Sequence, residues 1–551
     1  MTQTSAPAMP HARSHSNPQT TPGDAEGSVA SPMFAKIVAT IGPASESPEV
    51  VRKLILAGVS VFRFNFSHGD LATHATRLKT VRDVASELSR PIAILGDLQG
   101  PKIRVGKIPA GVGSPSPSGG GSIVVEPGHD VVFKKGITDA FLRTSPANPN
   151  AREPVLPVTY QLLIDEVKPG QRVLINDGAI RMLAVEHDAK AGELRCRVTI
   201  GGTITSNKGI NLPQSDVSAP AITERDWECV AFAVEHAMDY IALSFVRSAE
   251  EVKALRAQVN ALCEAKAHRD GLQSLEGVWI PIVSKIEKPQ ALADLERIVE
   301  SSDAVMVARG DLGVEMDIAQ VPVAQKRIIR TCAEFGRPCI VATQMLETMI
   351  ENSTPTRAEA SDVANAIFDG TDAVMLSAET ATGKHPVLVV ETMSRIITAA
   401  EAQVALGPPT ATPDRIAHSH RSTAALAHGA WQVARDLKAK AVVCWSEQGG
   451  TARFLSQNNF HMPIIAYSSS PRATRRMALY NAVTPVCALP PGNGTIAEWT
   501  AAADQFLLSR RLASATDMIV LLAGRPLGKA KATNTIAIHE VAAPADASLA
   551  P

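Results

Sequence analysis

Charge of one sign is what this chain lacks first. Its 54 Lys and Arg residues are balanced by 55 Asp and Glu residues, for a formal net charge of -1. That balance supplies no field to draw in nucleic acid or an anionic membrane surface, so any anionic ligand must be held by local charges. Long apolar runs are lacking too, and no stretch has the length needed to cross a bilayer. The first thirty-odd residues have no apolar segment of the signal-peptide kind, and Arg13 is their one strong positive charge. Both facts speak against a secretory or organelle-targeting leader. Residues 1–32 are rich in Pro, Ser, Thr, Ala and His and are expected to form a disordered extension, like the tail 542–551. Cys-x-x-Cys pairs are missing. The seven cysteines (Cys196, Cys229, Cys263, Cys332, Cys339, Cys444 and Cys487) lie scattered in apolar contexts. That suits reduced core thiols in a cytoplasmic protein. A Walker-type glycine-rich phosphate loop and solenoid repeats are also absent.

What is present is alternation. A chain of 551 residues with 45% hydrophobic content can form roughly three or four domains of about 150 residues each. Eight β-branched runs, at 36–41, 59–66, 92–97, 240–245, 279–286, 304–307, 339–344 and 373–377, alternate with helical stretches. Eight βα units predict a (β/α)₈ barrel, here from 33–104 and 208–389. Between the third and fourth runs, residues 105–207 break the pattern. A Gly- and Ser-rich stretch at 111–121 reads as a flexible loop, and short strand-like runs follow it. This predicts a small β domain inserted at the barrel rim, where it could act as a lid. Residues 390–541 start a second α/β pattern and predict an open, doubly wound C-terminal sheet.

The barrel reading carries a test: functional polar residues should sit at the C-terminal ends of its strands. The second run ends Arg63-Phe64-Asn65-Phe66-Ser67-His68, with Arg63, Asn65 and Ser67 on one face. The third ends in Asp97, the fifth in Lys285 and Glu287, the sixth delivers Asp311, the seventh Thr343 and Gln344, and the eighth Ser377 and Glu379. Two carboxylates from neighbouring strand ends make a sensible holder for a hard divalent cation, and a lysine beside them can stabilise an anion forming next to the metal. A structural ion pair on the rim is the plainer reading of any one motif. So many polar groups at one rim favour chemistry, because each is costly to bury unpaired.

The chain resembles the pyruvate kinases. The stretches that carry the resemblance are KIVATIGPAS at 36–45, FRFNFSHG at 62–69, GPKIR at 100–104, KGINLP at 208–213, SKIE at 284–287, ARGDLGVE at 308–315, ATQML at 342–346, PTRAEASDVAN at 355–365 and MLSAET at 375–380. They occur in order and cover nearly all of the barrel. The resemblance implies phosphoryl transfer from phosphoenolpyruvate to ADP, giving pyruvate and ATP. Mg²⁺, with Mn²⁺ as the alternative, would be held by Glu287 and Asp311, and a second Mg²⁺ would travel with the nucleotide. Lys285 would neutralise charge on the phosphoryl group and the enolate. Arg63 would contact the substrate phosphate, a task that suits a planar cationic fork. The amides of Gly310 and Asp311 would bind the substrate carboxylate. Thr343 would bind it too or relay the proton to the enolate, with a bound water as the equal candidate. Ser377 and Glu379 would extend that relay or support it. Thr40, Pro43, Arg63, His68 and Lys208 match positions near the nucleotide, though His68 has an equal reading as a rim hydrogen bonder.

Two departures from the family pattern set further expectations. Many members need K⁺, held at positions matching Asn65, Ser67, Asp97 and the Leu98 carbonyl. Here the usual Glu of Asp-Thr-Lys-Gly-Pro-Glu is replaced by Lys102. Its ammonium can supply the missing positive charge, so K⁺ is expected to be dispensable; the alternative is a Lys102 that faces solvent. In the C-terminal domain Ser446, Gln448, Gly449, Gly450 and Thr451 form a candidate anion loop, with Arg525 on a second loop. Glu447 adds negative charge there, which disfavours fructose 1,6-bisphosphate and leaves open another phosphorylated effector or none. The resemblance also implies a cytoplasmic homotetramer with no nucleic-acid or membrane partner. Two other readings stay open: a Mg²⁺-dependent pyruvate-enolate lyase or aldolase on the same barrel, and a regulatory protein that has lost catalysis.

Overall fold

The computed structural model describes residues 33–543 apart from 117–118, 146–147, 273–274, 276–277, 407–412, 418–420, 459, 493 and 531. The expected extension 1–32 and most of the tail 542–551 therefore lie outside the described residues. Eight strands close into a barrel. In chain order they are Lys36–Thr40, Val59–Asn65, Ala93–Asp97, Tyr240–Leu243, Ile282–Ile286, Ala304–Ala308, Cys339–Ala342 and Ala373–Leu376. Each pairs in parallel with the strands before and after it, and the eighth closes on the first. The (β/α)₈ barrel read from eight runs is thus present.

Period-two alternation explains both surfaces of this sheet. Val38, Val61, Leu95, Ala242, Val283, Met306, Ile340 and Met375 pack together inside the barrel. Ile37, Phe62, Phe64, Ile94, Ile241, Ile282, Val307 and Val374 point out to the helices. Continued to the strand ends, the same alternation turns Arg63 and Lys285 inward. The helices are bounded by local signals. Ser47 caps Pro48–Ala57 by accepting from the Val50 amide, with proline at the first turn. Thr356 and Glu359 form a capping box on Arg357–Phe368.

The inserted segment builds a seven-stranded sheet and a three-stranded sheet around their own apolar core. The larger sheet ends in Ile210–Asn211, beyond the boundary expected at 207. Part of the stretch read as a flexible loop is ordered as well, since Ser114–Pro115 pairs antiparallel with Gly121–Val125. Glycine is needed here for close packing: Gly113 has φ 72°, and a side chain on it would run into the Ser122 carbonyl.

The C-terminal sheet has the order Val483–Cys487, Ile464–Ser468, Ala441–Trp445, Met518–Gly524, Thr533–Glu540, with only the last pair antiparallel. Apolar clusters lie on both of its faces. This domain also seals the base of the barrel. Leu479 joins the interior cluster, and Tyr480 packs against it. Of the seven cysteines six are buried, but Cys487, expected in the core, is exposed at the end of an edge strand.

Candidate active site

The C-terminal strand ends bring the acidic and basic groups together. Lys285 Nζ lies 2.9 Å from Glu287 Oε1 and 3.3 Å from Asp97 Oδ1, and it donates to Ser244 Oγ at 2.8 Å. Ser244 in turn donates to the Leu98 carbonyl at 2.6 Å. Burial works against the Lys285 charge, but Asp97 and Glu287 outweigh it and hold the ammonium above the usual lysine range. Asp97 is also buried, yet Lys285 and Arg63 keep its carboxyl below the usual range. For Glu287 burial, with the Asp311 charge adding to it, pushes the carboxyl above the usual range, and Lys285 opposes the shift.

Arg63 donates to Asp97 Oδ2 at 2.6 Å and to Thr40 Oγ1 at 3.1 Å. Thr40, sought near the nucleotide, is buried, and its hydroxyl also donates to the Leu376 carbonyl at 2.9 Å. Its placement therefore serves Arg63 and the closure of the barrel. Pro43 is exposed on the loop after the first strand. Asn65 Oδ1 accepts the Ser67 amide at 3.1 Å.

The sixth and seventh strands meet through Thr343. Its hydroxyl donates to the Ala342 carbonyl at 2.6 Å and accepts the Gly310 amide at 2.7 Å. The Gly310 amide, expected to meet the substrate carboxylate, is thus already engaged. A side chain at Gly310 would come within 3.3 Å of Thr343 Oγ1, a tight fit that Thr343 would have to shift to relieve. Glu379 is fully buried and accepts the amides of Ser377 at 2.6 Å and Leu346 at 3.3 Å. Among the described residues Ser377 Oγ is a buried hydroxyl with no partner.

Between the rim and the inserted domain lies a cavity of about 530 Å³ whose walls include His68, Lys102, Lys208 and Asp311. Burial and the cations Lys102, Arg63 and Arg104 lower the His68 pKa. Lys102 is shifted down by burial too, opposed first by Asp311, so its ammonium sits in the field of the acidic pair. Across this junction Glu315 accepts from Lys288 at 2.7 Å and from Asn211 at 2.9 Å, which links the last inserted strand to the barrel.

Whether these groups suit a divalent cation is tested by their unmet needs. Glu287 Oε1 and Asp97 Oδ1 are buried and share one ammonium, Lys285 Nζ at 2.9 and 3.3 Å, without a well-directed hydrogen bond from it. One cation shared between two buried carboxylate oxygens leaves acceptor capacity that a divalent cation can meet. Among the described residues no group of three or more His, Cys, Asp or Glu is set to hold a metal.

The candidate effector loop lies apart, at the C-terminal sheet. Ser446 Oγ accepts the Ala452 amide at 3.1 Å, Gly449 is left-handed, and Thr451 contacts Thr533 at 2.8 Å. The Glu447 carboxylate is turned onto Trp445 Nε1, at 3.0 Å, and the Ser469 hydroxyl. Gln448 and Gly450 are exposed, as is Arg525, whose amide donates to Asn534 at 3.3 Å.

The strand-end reading passed over Ser244, although the fourth run ends in Ser244-Phe245 and the same rule points to it. It also passed over Arg309, which stands inside the quoted ARGDLGVE stretch. Arg309 donates to the Thr343 carbonyl at 2.8 Å and to Asp362 at 2.7 Å.

A closed parallel barrel with a buried lysine between carboxylates at its mouth, roofed by an inserted β domain, defines a barrel enzyme that steadies an anion. Comparisons narrow this. The family pattern "Pyruvate kinase, barrel domain" matches residues 33–390, and "Pyruvate kinase, alpha/beta domain" matches 424–539. "Pyruvate kinase 2" of Synechocystis sp. is 40% identical, with 93% of this chain and 80% of that protein covered. The pyruvate kinase of Corynebacterium efficiens is 39% identical, with 92% and 97% covered. A crystal structure of a pyruvate kinase from Cryptosporidium parvum superposes with a TM-score of 0.78 at 31% identity, covering 92% of this chain and 96% of that one. The chain belongs to the pyruvate kinase family and is a phosphotransferase.

Proposed function

We propose that the strand-end cluster at the barrel mouth is the catalytic centre for phosphoryl transfer from phosphoenolpyruvate to ADP. The observation that carries the reading is the Lys285 ammonium, buried and held charged between Asp97 and Glu287. Phosphoryl transfer is chiefly positioning plus neutralisation of charge. Lys285 is placed to neutralise the transferring phosphoryl and the enolate it leaves. Arg63 commits Nε to Asp97 and Nη1 to Thr40 and has Nη2 to offer to the substrate phosphate. Glu287 and Asp311 would hold Mg²⁺ or Mn²⁺. When bound, that ion supplies Lewis-acid stabilisation of the phosphoryl and enol oxygens. Thr343 orders the Gly310 amide and keeps its own proton on the Ala342 carbonyl, which leaves the Asp311 amide to meet the carboxylate. His68 and Lys208, on the cavity wall, are placed for the nucleotide phosphates. A coupled assay with phosphoenolpyruvate and ADP tests the reading. Pyruvate formation that requires ADP and a divalent metal is expected; pyruvate and inorganic phosphate released from phosphoenolpyruvate without ADP would be hydrolysis and would overturn it.

The finer reading is a K⁺-independent enzyme regulated through its C-terminal domain, working as a homotetramer in the cytoplasm. Among the described residues no helix is long and apolar enough to cross a membrane. K⁺ independence is supported by Lys102 standing in the field of Asp311. The carboxylate of the K⁺ pattern, Asp97, is already paired with two cations. In tetramethylammonium buffer the wild type should retain most of its rate, and Lys102→Glu should become K⁺-dependent. A wild-type rate near zero that added K⁺ restores would refute the substitution. Regulation is supported by the Ser446–Thr451 loop, where Glu447 is hydrogen-bonded to Trp445 and Ser469.

A further inference from the structure

Between the barrel and the C-terminal domain, far from the strand ends, a cavity of about 220 Å³ is lined by four arginines. Arg337 comes from the barrel, Arg415 and Arg421 from the segment that joins the two domains, and Arg453 from helix Gly450–Ser456. The carboxylates on its wall are Glu300 and Glu334, with Glu296 and Asp303 just beyond it beside Arg415 and Arg337.

Two of these guanidinium groups, those of Arg453 and Arg337, donate to neutral carbonyls. Arg453 donates to the Gly336 carbonyl and lies over the Phe454 ring, 4.7 Å from its centre. Arg337 donates to the Glu300 carbonyl at 2.9 Å and stands 3.9 Å from Asp303, which Arg256 engages at 2.7 Å. The buried Nε of Arg337 has no partner. Arg415 reaches outward to Glu296 at 3.0 Å and stacks on Phe335 at 4.0 Å. Glu334 already accepts the Arg415 amide at 3.1 Å. Burial, with the Arg453 charge adding to it, lowers Arg337 to about 10, and burial together with Arg421 lowers Arg453. Like charges gathered in a half-enclosed space, with an unmet N–H among them, are stabilised by a multivalent anion.

We infer that this interdomain cavity is a binding site for a phosphate-type oxyanion, either inorganic phosphate or the phosphoryl group of a small monoester. Guanidinium forks match tetrahedral phosphate oxygens, and the Phe454 ring offers an apolar wall to an ester stub. The half-enclosed cavity, about 220 Å³, has room for such an anion. The site is distinct from the Ser446–Thr451 loop. A bound oxyanion would join Arg337 of the barrel to Arg453 of the C-terminal domain.

The test is thermal melting of the full chain carrying Arg63→Gln, to remove the phosphate contact at the barrel mouth. It is titrated with sodium phosphate against sodium chloride at matched ionic strength. The expected result is a saturable rise in Tm whose midpoint weakens at least about tenfold on adding Arg337→Gln or Arg415→Gln, the size of losing one charge-assisted contact. Arg415 is exposed, so its variant stays informative if Arg337→Gln fails to fold. Adding Thr451→Val should leave the midpoint unchanged. Glycerol 3-phosphate binding tighter than inorganic phosphate identifies a monoester ligand, and equal or weaker binding identifies free phosphate. An absent saturable response, a midpoint indifferent to Arg415→Gln, or one abolished by Thr451→Val overturns the inference.

Discussion

Thr343 is a β-branched residue at φ 71°, followed by Gln344 at 55°. That backbone is uncommon for any non-glycine residue and costs roughly 1–3 kcal/mol, so its surroundings must enforce it. They do so through the Thr343 hydroxyl on Ala342 and Gly310, Arg309 on the Thr343 carbonyl, and Glu379 on the Leu346 amide. Thr343→Ser keeps both hydroxyl bonds and should stay within about threefold of wild-type kcat. Thr343→Ala leaves the Gly310 amide unmet; it should lose about 1 kcal/mol of stability, read by urea melts, and at least about tenfold in kcat. Equal kcat for the two variants would show that the hydroxyl is only structural wedging. Lys285→Met should lower kcat by about 10²–10³-fold, the scale of removing one preorganised charge. Mn²⁺ binding, followed by electron paramagnetic resonance, should persist, and full turnover would remove Lys285 from the chemistry. Lys285, Glu287 and Arg63 were legible because each stands at or beside a strand end, where alternation fixes its side, whereas Asp311 lies in the first turn of helix Arg309–Glu315 and was legible only by its place after the sixth strand. The Thr343–Gly310 bond was not, because it joins residues from separate strand ends that no local pattern pairs.

At the scale of elements, alternation of strand and helix made the barrel legible, whereas the inserted domain was legible only in kind. A Gly- and Ser-rich stretch has the composition of a linker, and composition does not distinguish glycines that supply freedom from glycines that allow contact. Gly113 is of the second sort. In Gly113→Ala the new methyl would meet the Ser122 carbonyl at a positive φ, so the hairpin must shift. The variant should lose at least about 1 kcal/mol in urea unfolding and raise the KM for ADP more than that for phosphoenolpyruvate. Unchanged stability would mean that the pairing of Ser114–Pro115 with Gly121–Val125 does not persist in solution. The end of the inserted sheet was misjudged for a related reason. Ile210–Asn211 is too short to show a period, and its assignment rests on pairing with residues more than thirty positions earlier.

For the whole molecule, what joins the barrel to its C-terminal domain is a polar seam under the strands. Tyr240 donates to the Arg476 carbonyl at 2.7 Å, and Lys36 to the Val483 carbonyl at 2.9 Å. Asp239 pairs with Arg475 at 2.9 Å and Arg82 at 2.6 Å. At the same face Asp372 accepts the Cys339 amide at 2.8 Å and the Gln457 side chain at 2.7 Å. None of these partners is near in sequence, which is why the docking was not legible even though both domains were. Burial outweighs the hydrogen bonds to Asp372 and pushes its carboxyl up to about 6. A carboxyl raised on folding makes the native state the stronger proton binder between the unfolded value near 4 and the folded value near 6. Its contribution is therefore most favourable below about pH 4, declines as pH rises to about 6, and stays at its lower level beyond. The span is about 3 kcal/mol, from a shift of about two pKa units at 1.36 kcal/mol each. Many other groups titrate in that range, so the measurement is the stability difference between wild type and Asp372→Asn, whose amide imitates the protonated acid. In urea unfolding the wild type should lose ground to the variant steadily from pH 4 to pH 6 and no further at pH 7.5. A difference that stays level across that interval would show that Asp372 is ionised in the seam at no cost, with a counter-charge near enough to offset its burial.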